Sequence, residues 1–181
     1  MKNEDNLSPE QLAVDSAKRL TTHCEHNDNP AFVTITEDDI PTGDSAEDRR
    51  ARHDLIYSFY ERWKRDNPEQ KKYNIALKGD INIRAVSIDE TARHASLKYL
   101  STLAVLQLDA ILTNAWLVKI VPSKADRKNQ RSFERMLIME YICTGVGRVK
   151  MTVGVRRKDR TRVQYCITAI EAGKTKQEVT K

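Results

Sequence analysis

Three apolar runs between Phe133 and Ile170 constrain this chain more than any other feature. They are Arg135-Met-Leu-Ile-Met-Glu-Tyr-Ile-Cys143, Arg148-Val-Lys-Met-Thr-Val-Gly-Val-Arg156 and Arg162-Val-Gln-Tyr-Cys-Ile-Thr-Ala-Ile170. Thr144-Gly-Val-Gly147 separates the first two, and Lys158-Asp-Arg-Thr161 the last two. Runs of this length, bounded by Gly or charged clusters, predict an antiparallel meander. Successive side chains of a strand point to opposite faces. Val149, Met151, Val153 and Val155 then share a core face with Val163, Tyr165, Ile167 and Ala169. Arg148, Lys150, Thr152, Arg156, Arg162, Gln164 and Thr168 fall on the other, polar face. The two apolar sets coincide only if opposed residues have numbers of equal parity. That requirement predicts Val155 opposite Val163 and Val153 opposite Tyr165, through a three-residue loop at Lys158–Arg160 or through a bulge.

Upstream, the signals are mainly helical. Ser8-Pro-Glu-Gln11 is a helix start, with Ser as the cap and Pro at the first helical position. Ser45 to Asp66 predicts a longer helix, with Asp48 placed for a capping box and Asn67-Pro68 as its stop. Ile56, Phe59 and Trp63 form its apolar stripe, buried either in the domain or across a homodimer. Two short strands are expected at Asn74–Lys78 and Ile81–Val86, broken at Gly79-Asp80. Ser87-Ile-Asp-Glu90 reads as a capping box opening a helix to about Tyr99, followed by a helix to about Ala115 and a strand at Trp116–Val121. Pro122 to Gln130 reads as a mobile basic loop carrying Lys124, Arg127 and Lys128. The resulting fold class is α+β: two helices packed on an antiparallel sheet of four or more strands, with an N-terminal helical extension. The expected division is an acidic helical leader over 1–70, the α+β domain over 71–171 and a loose tail over 172–181.

Charge follows that division. Residues 1–50 hold 5 Lys/Arg against 12 Asp/Glu, and residues 101–181 hold 16 against 7. A basic half of this kind suits nucleic acid. No apolar run approaches the roughly 20 residues of a membrane helix, and the N-terminus is polar and acidic, so the expectation is a cytoplasmic protein without a membrane partner. Cys24, Cys143 and Cys166 are too few and too scattered for a disulfide framework. His23-Cys-Glu-His26 lacks zinc spacing and a second ligand cluster, so neither a metal nor another cofactor is expected.

Ser87-Ile-Asp-Glu-Thr-Ala-Arg-His94, Leu106-Gln-Leu-Asp-Ala-Ile-Leu-Thr-Asn-Ala115 and Lys150-Met-Thr-Val-Gly-Val-Arg156, with Tyr165 to Ile170, carry a resemblance over roughly residues 81–171. The order of elements is similar to that of small domains in large polyvalent proteins of phages and mobile elements. Those domains resemble the barnase–EndoU–colicin–RelE group of metal-independent ribonucleases. The resemblance implies an RNA-directed, nuclease-like domain, a ribonuclease if catalysis is retained. Such chemistry needs an acid, a base and cations at the phosphorane. His94 is the candidate acid or base, and Arg148, Lys150 and Arg156 the candidate phosphate clamps. Thr152, Arg162, Gln164, Thr168, Lys124, Arg127 and Lys128 are the candidate binding residues. Glu140 is an alternative base, or the partner of a neighbouring Arg or Lys. The rival reading is a non-catalytic module that binds nucleic acid, RNA above DNA, or a host protein as a counter-defence factor. The position of His94 relative to the basic face separates the two.

Overall fold

The computed structural model describes residues 34–171. The expected helix at Ser8–Leu20, the His23–His26 cluster and the tail over 172–181 lie outside the described residues. Among the described residues four α-helices pack with one six-stranded sheet, so the α+β class holds, with four helices where two were expected and a mixed sheet where an antiparallel one was. The helices are α1 (Ala46–Asp66), α2 (Ala85–Ala95), α3 (Tyr99–Val105) and α4 (Leu108–Asn114). The strands are β1 (Lys71–Asn74), β2 (Gly79–Asn82), β3 (Trp116–Pro122), β4 (Phe133–Cys143), β5 (Gly147–Arg156) and β6 (Arg162–Ala169). Their spatial order is β1-β2-β6-β5-β4-β3. All neighbours are antiparallel except β2 and β6, which meet in parallel at Asn82 and Val163.

Helix α1 starts as its sequence dictates. The Asp48 N–H donates to Ser45 Oγ (3.0 Å), and Asp48 Oδ2 accepts from the Ser45 N–H (3.2 Å). Ile56 and Tyr60 are fully buried, Trp63 nearly so, and Phe59 packs partly buried beside them. Each large side chain removed from water contributes roughly 1.5–3 kcal/mol. They meet Ile88 and Ala92 of α2, Leu108 and Ile111 of α4, and Met139, Val149, Met151 and Ile167 of the sheet. The stripe is therefore buried within the chain itself, and α1 shares one core with residues 71–171. Arg52, on the same helix, is wholly buried: its Nε donates to the Ser96 carbonyl (2.8 Å) and its Nη1 to those of Pro41 (2.7 Å) and Gly43 (2.6 Å).

Several boundaries depart from expectation. Gly79 and Asp80 pair with Asn74 and Tyr73 inside the β1–β2 ladder, and the turn lies at residues 75–78. It is pinned by buried Asn74, which donates to the carbonyls of Leu112 (2.8 Å) and Ala115 (3.1 Å) and accepts from the Leu77 N–H (2.8 Å). Helix α2 begins two residues before Ser87, which sits at its third position and accepts from the Arg84 N–H (3.0 Å). The segment expected as one helix to Ala115 is two, α3 and α4, divided at Leu106-Gln107.

The register of β5 and β6 contains the bulge alternative. Val149 opposes Ala169 and Met151 opposes Ile167, as the apolar faces require. The ladder then slips between Thr152 and Val153, so that Val153 opposes Gln164 and Val155 opposes Arg162. The expected pairs with Tyr165 and Val163 do not form. Tyr165 is the extra residue, and a bulge of this kind re-aims the side chains beyond it. Gln164 turns into the helix-side core. Val163 and Tyr165 turn to the other face and join Phe133 and Met136 in a small second cluster. Gly154 admits that cluster: a Cβ there would lie 2.5 Å from the Phe133 ring.

Candidate functional site

Because β2 touches β6 at a single position, the rest of the outer edge of β6 is left to helices. Ser87 Oγ donates to the Gln164 carbonyl, Cys166 Sγ to the Glu90 carbonyl (3.7 Å), and the Ala169 N–H to Ser101 Oγ (3.0 Å). Side chains thus satisfy an edge that would otherwise recruit another strand. The same contact carries the last turn of α2, with His94, over the face of the sheet opposite the main core.

That face holds a cleft of about 350 Å³. Met136, Ile138, Lys150, Thr152, Cys166 and Thr168 line it from the strands, His94 and Tyr165 from the α2 side, and Lys124, Arg127 and Gln130 from the β3–β4 connection. Six of the expected site residues therefore come together: His94, Lys150, Thr152, Thr168, Lys124 and Arg127. Lys128 lines an adjoining cleft with Arg93, Arg127, Asn129 and Tyr165.

The remaining expected residues lie elsewhere. Arg148 sits toward the far end of β5, 3.4 Å from Glu140, so Glu140 has the cationic partner expected as its alternative role. Arg156 is 3.8 Å from Asp159 beyond the other end of the strand. Arg162 turns with Val155 to the helix side, into a separate groove with Leu77, Ile120, Leu137 and Arg160. Gln164 is fully buried there: it accepts from Tyr60 Oη (2.9 Å) and donates to Thr91 Oγ1 (2.9 Å). The one-residue slip at Tyr165 removes Arg162 and Gln164 from the cationic face.

Glu90 organises the cleft, although the sequence reading made it a helix cap. It is 1% exposed. Arg93 Nη2 donates to both carboxylate oxygens (3.0 and 2.9 Å), and Asn129 Nδ2 donates to Oε1. His94 Nε2 lies 3.4 Å from Oε2, and the Tyr165 hydroxyl is near enough to help hold the carboxyl's pKa down. Burial pushes the Glu90 carboxyl up, but the Asn129 hydrogen bond, the Arg93 charge and the other bonds outweigh it and hold the group below the usual carboxylate range. Burial, with Glu90 nearby, pushes the Tyr165 phenol up. It also pushes the Cys166 thiol up to about 12, so this cysteine is no thiolate nucleophile near neutrality.

The β3–β4 connection, expected as a mobile basic loop, is tied to its surroundings by hydrogen bonds. The Lys124 N–H donates to Gln130 Oε1 (2.8 Å), the Arg127 N–H to the Lys124 carbonyl (3.0 Å), and Ser123 Oγ to the Phe133 carbonyl (2.7 Å). Asn129 ties it to Glu90. Its cations are consequently positioned. Among the described residues Lys124, Arg127, Lys128 and Lys150 make no ion pair, whereas Arg148, Arg156 and Arg160 each face a carboxylate.

Sequence reasoning missed Glu90, Tyr165, Asn129 and Gln130. The spacing of Glu90, Arg93 and His94 at i, i+3 and i+4 was a readable signal, since such residues share a helix face. The outward turn of Tyr165 left no signal, because the bulge follows from tertiary contacts. Among the described residues no helix is long and apolar enough to cross a membrane. No protein family, curated protein or solved structure matches the chain.

Proposed function

We propose that the cleft binds RNA and cleaves it without a metal, by internal transesterification. The observation that carries this reading is the meeting, in one cleft, of His94 with three cations that pair with no carboxylate among the described residues: Lys150, Lys124 and Arg127. In this reaction a base takes the 2′-OH proton and the 2′-oxygen attacks phosphorus. The 5′-oxygen leaves with a proton from an acid, giving a 2′,3′-cyclic phosphate and a 5′-hydroxyl. His94 exchanges protons with the substrate, and the Glu90 carboxylate, 3.4 Å from its Nε2, orients its ring. Lys150 from the floor, with Lys124 and Arg127 from the wall, offsets charge on the phosphorane. Thr152 and Thr168 offer hydroxyl hydrogen bonds. In this assignment Lys150 remains a phosphate contact, and the loop cations take the roles first given to Arg148 and Arg156.

The test is incubation of the purified protein with total RNA and with plasmid DNA, with and without EDTA. RNA cut in EDTA to cyclic-phosphate ends is the expected result, and His94→Ala should lower it steeply. Binding without cleavage would leave the non-catalytic module, and binding of neither polymer would remove the reading.

A further inference from the structure

The adjoining cleft, of about 380 Å³, shares Arg127 and Tyr165 with the first and adds Arg93, Lys128 and Asn129. The two form one basic surface that continues around the Tyr165 side chain. Tyr165 is only 6% exposed, so it divides the clefts and offers no open ring for base stacking. What the second cleft presents is charge and hydrogen-bond donors. Lys128 and Arg127 are exposed and unpaired among the described residues, while Arg93 has its guanidinium on Glu90 with the side chain still 62% exposed. Glu90 itself is covered, and its negative charge is opposed by Arg93 and Asn129. Asp126 is the loop's own acid and pairs with none of these cations.

Resting on the reading given under Proposed function, we infer that the second cleft is a phosphate subsite for the nucleotide adjacent to the one that reacts. The substrate class is then an RNA strand of at least two consecutive phosphodiesters, with the reacting phosphate beside His94, Lys150 and Lys124, its neighbour beside Lys128, and Arg127 shared between the two. A mononucleotide or a dinucleoside monophosphate fills only the first cleft. Recognition through phosphate alone carries no base preference. The hydrogen bonds along the β3–β4 connection hold its backbone beside both clefts, which lowers the ordering cost of binding.

The experiment compares 2′-O-methyl probes, which cannot be cleaved: a dinucleoside monophosphate and a trinucleoside diphosphate. Affinity is measured by calorimetry across a salt series for the unaltered protein and for Lys128→Ala. The trinucleotide should bind about tenfold tighter, and its log–log salt slope should be steeper by about 0.7, the increment for one more phosphate on a single strand. Lys128→Ala should bring the trinucleotide down toward the dinucleotide and leave dinucleotide affinity unchanged. Equal affinities and slopes for the two probes, with dinucleotide binding intact, would overturn the second subsite and leave the first cleft standing. The same holds if Lys128→Ala weakens both probes alike. If neither probe nor a longer RNA binds, the functional reading falls and this inference falls with it.

Discussion

Strand β6 separates two buried polar centres that the same helix builds in opposite ways. On the core side, Gln164 meets Tyr60, Thr91 and Ser87, and every partner is neutral. On the cleft side, Glu90 meets Arg93, His94, Asn129 and Tyr165, and two of these are basic side chains. Thr91 and Glu90 are neighbours in α2, so one helix turn serves both. The neutral centre fixes where β6 sits, since a buried amide left unpartnered is costly. The ionic centre gathers a helix end, a loop and a strand around one charge, while Lys124, Arg127, Lys128 and Lys150 pair with no carboxylate among the described residues.

The largest expected effect lies on the ionic side. His94→Ala should lower RNA cleavage by about 10²–10⁴-fold, the usual contribution of one acid–base group, with the melting temperature little changed. Cleavage that persists in this variant would detach the Glu90 centre from chemistry. Next comes the neutral side. Gln164→Ala leaves Tyr60 and Thr91 without their amide partner and opens a cavity, a loss of about 2–4 kcal/mol by urea denaturation. A loss under about 1 kcal/mol would show that the amide does not hold β6 in register.

Glu90→Gln should cost about 1–3 kcal/mol near neutrality, because the charge is lost and an NH2 donor replaces one of the two oxygens that accept from Arg93. Its pH dependence sharpens the contrast. The folded-state carboxyl lies below its ordinary range, so its stabilisation is complete above the unfolded value, about 4.3. That stabilisation is lost as pH falls through the depressed folded value. Melting temperatures below about pH 5 should therefore fall more steeply for the unaltered protein than for Glu90→Gln. Parallel curves would mean that the carboxylate is not ionised as argued. The smallest effect concerns the cations. Lys150→Ala should reduce the salt slope of RNA binding by about 0.7, while Arg148→Ala, whose guanidinium already faces Glu140, should leave the slope nearly unchanged. Equal slopes in the two variants would erase the distinction between free and paired cations.

Much of the architecture is local and was legible. The Ser45–Asp48 cap, the stripe through Ile56 and Trp63, and the β4–β5 turn with Gly145 (φ 73°) and Gly147 (φ 94°) each follow from short-range sterics and periodicity. The apolar alternation of β5 holds along its length because its neighbours on both sides bury that face. The candidate site was legible only where it coincides with such patterns: Lys150, Thr152 and Thr168 by strand alternation, and His94 by its place near the end of α2.

The amino-acid sequence by itself determined the capped helix Ala46–Asp66, the β4–β5–β6 meander, the apolar face of β5 and the basic character of the C-terminal half, because each depends on residue types or on neighbours within a few residues. Only the tertiary structure decided which cations are free, that Gln164 turns inward while Tyr165 turns outward, and that Glu90 gathers the cleft. The reason is physical. A strand's alternation predicts faces only while its register is unbroken, and the bulge at Tyr165 is set by Tyr60, Thr91, Phe133 and Glu90. Those partners lie far from Tyr165 in the chain, and the free energy of their contacts exists only once they are packed together.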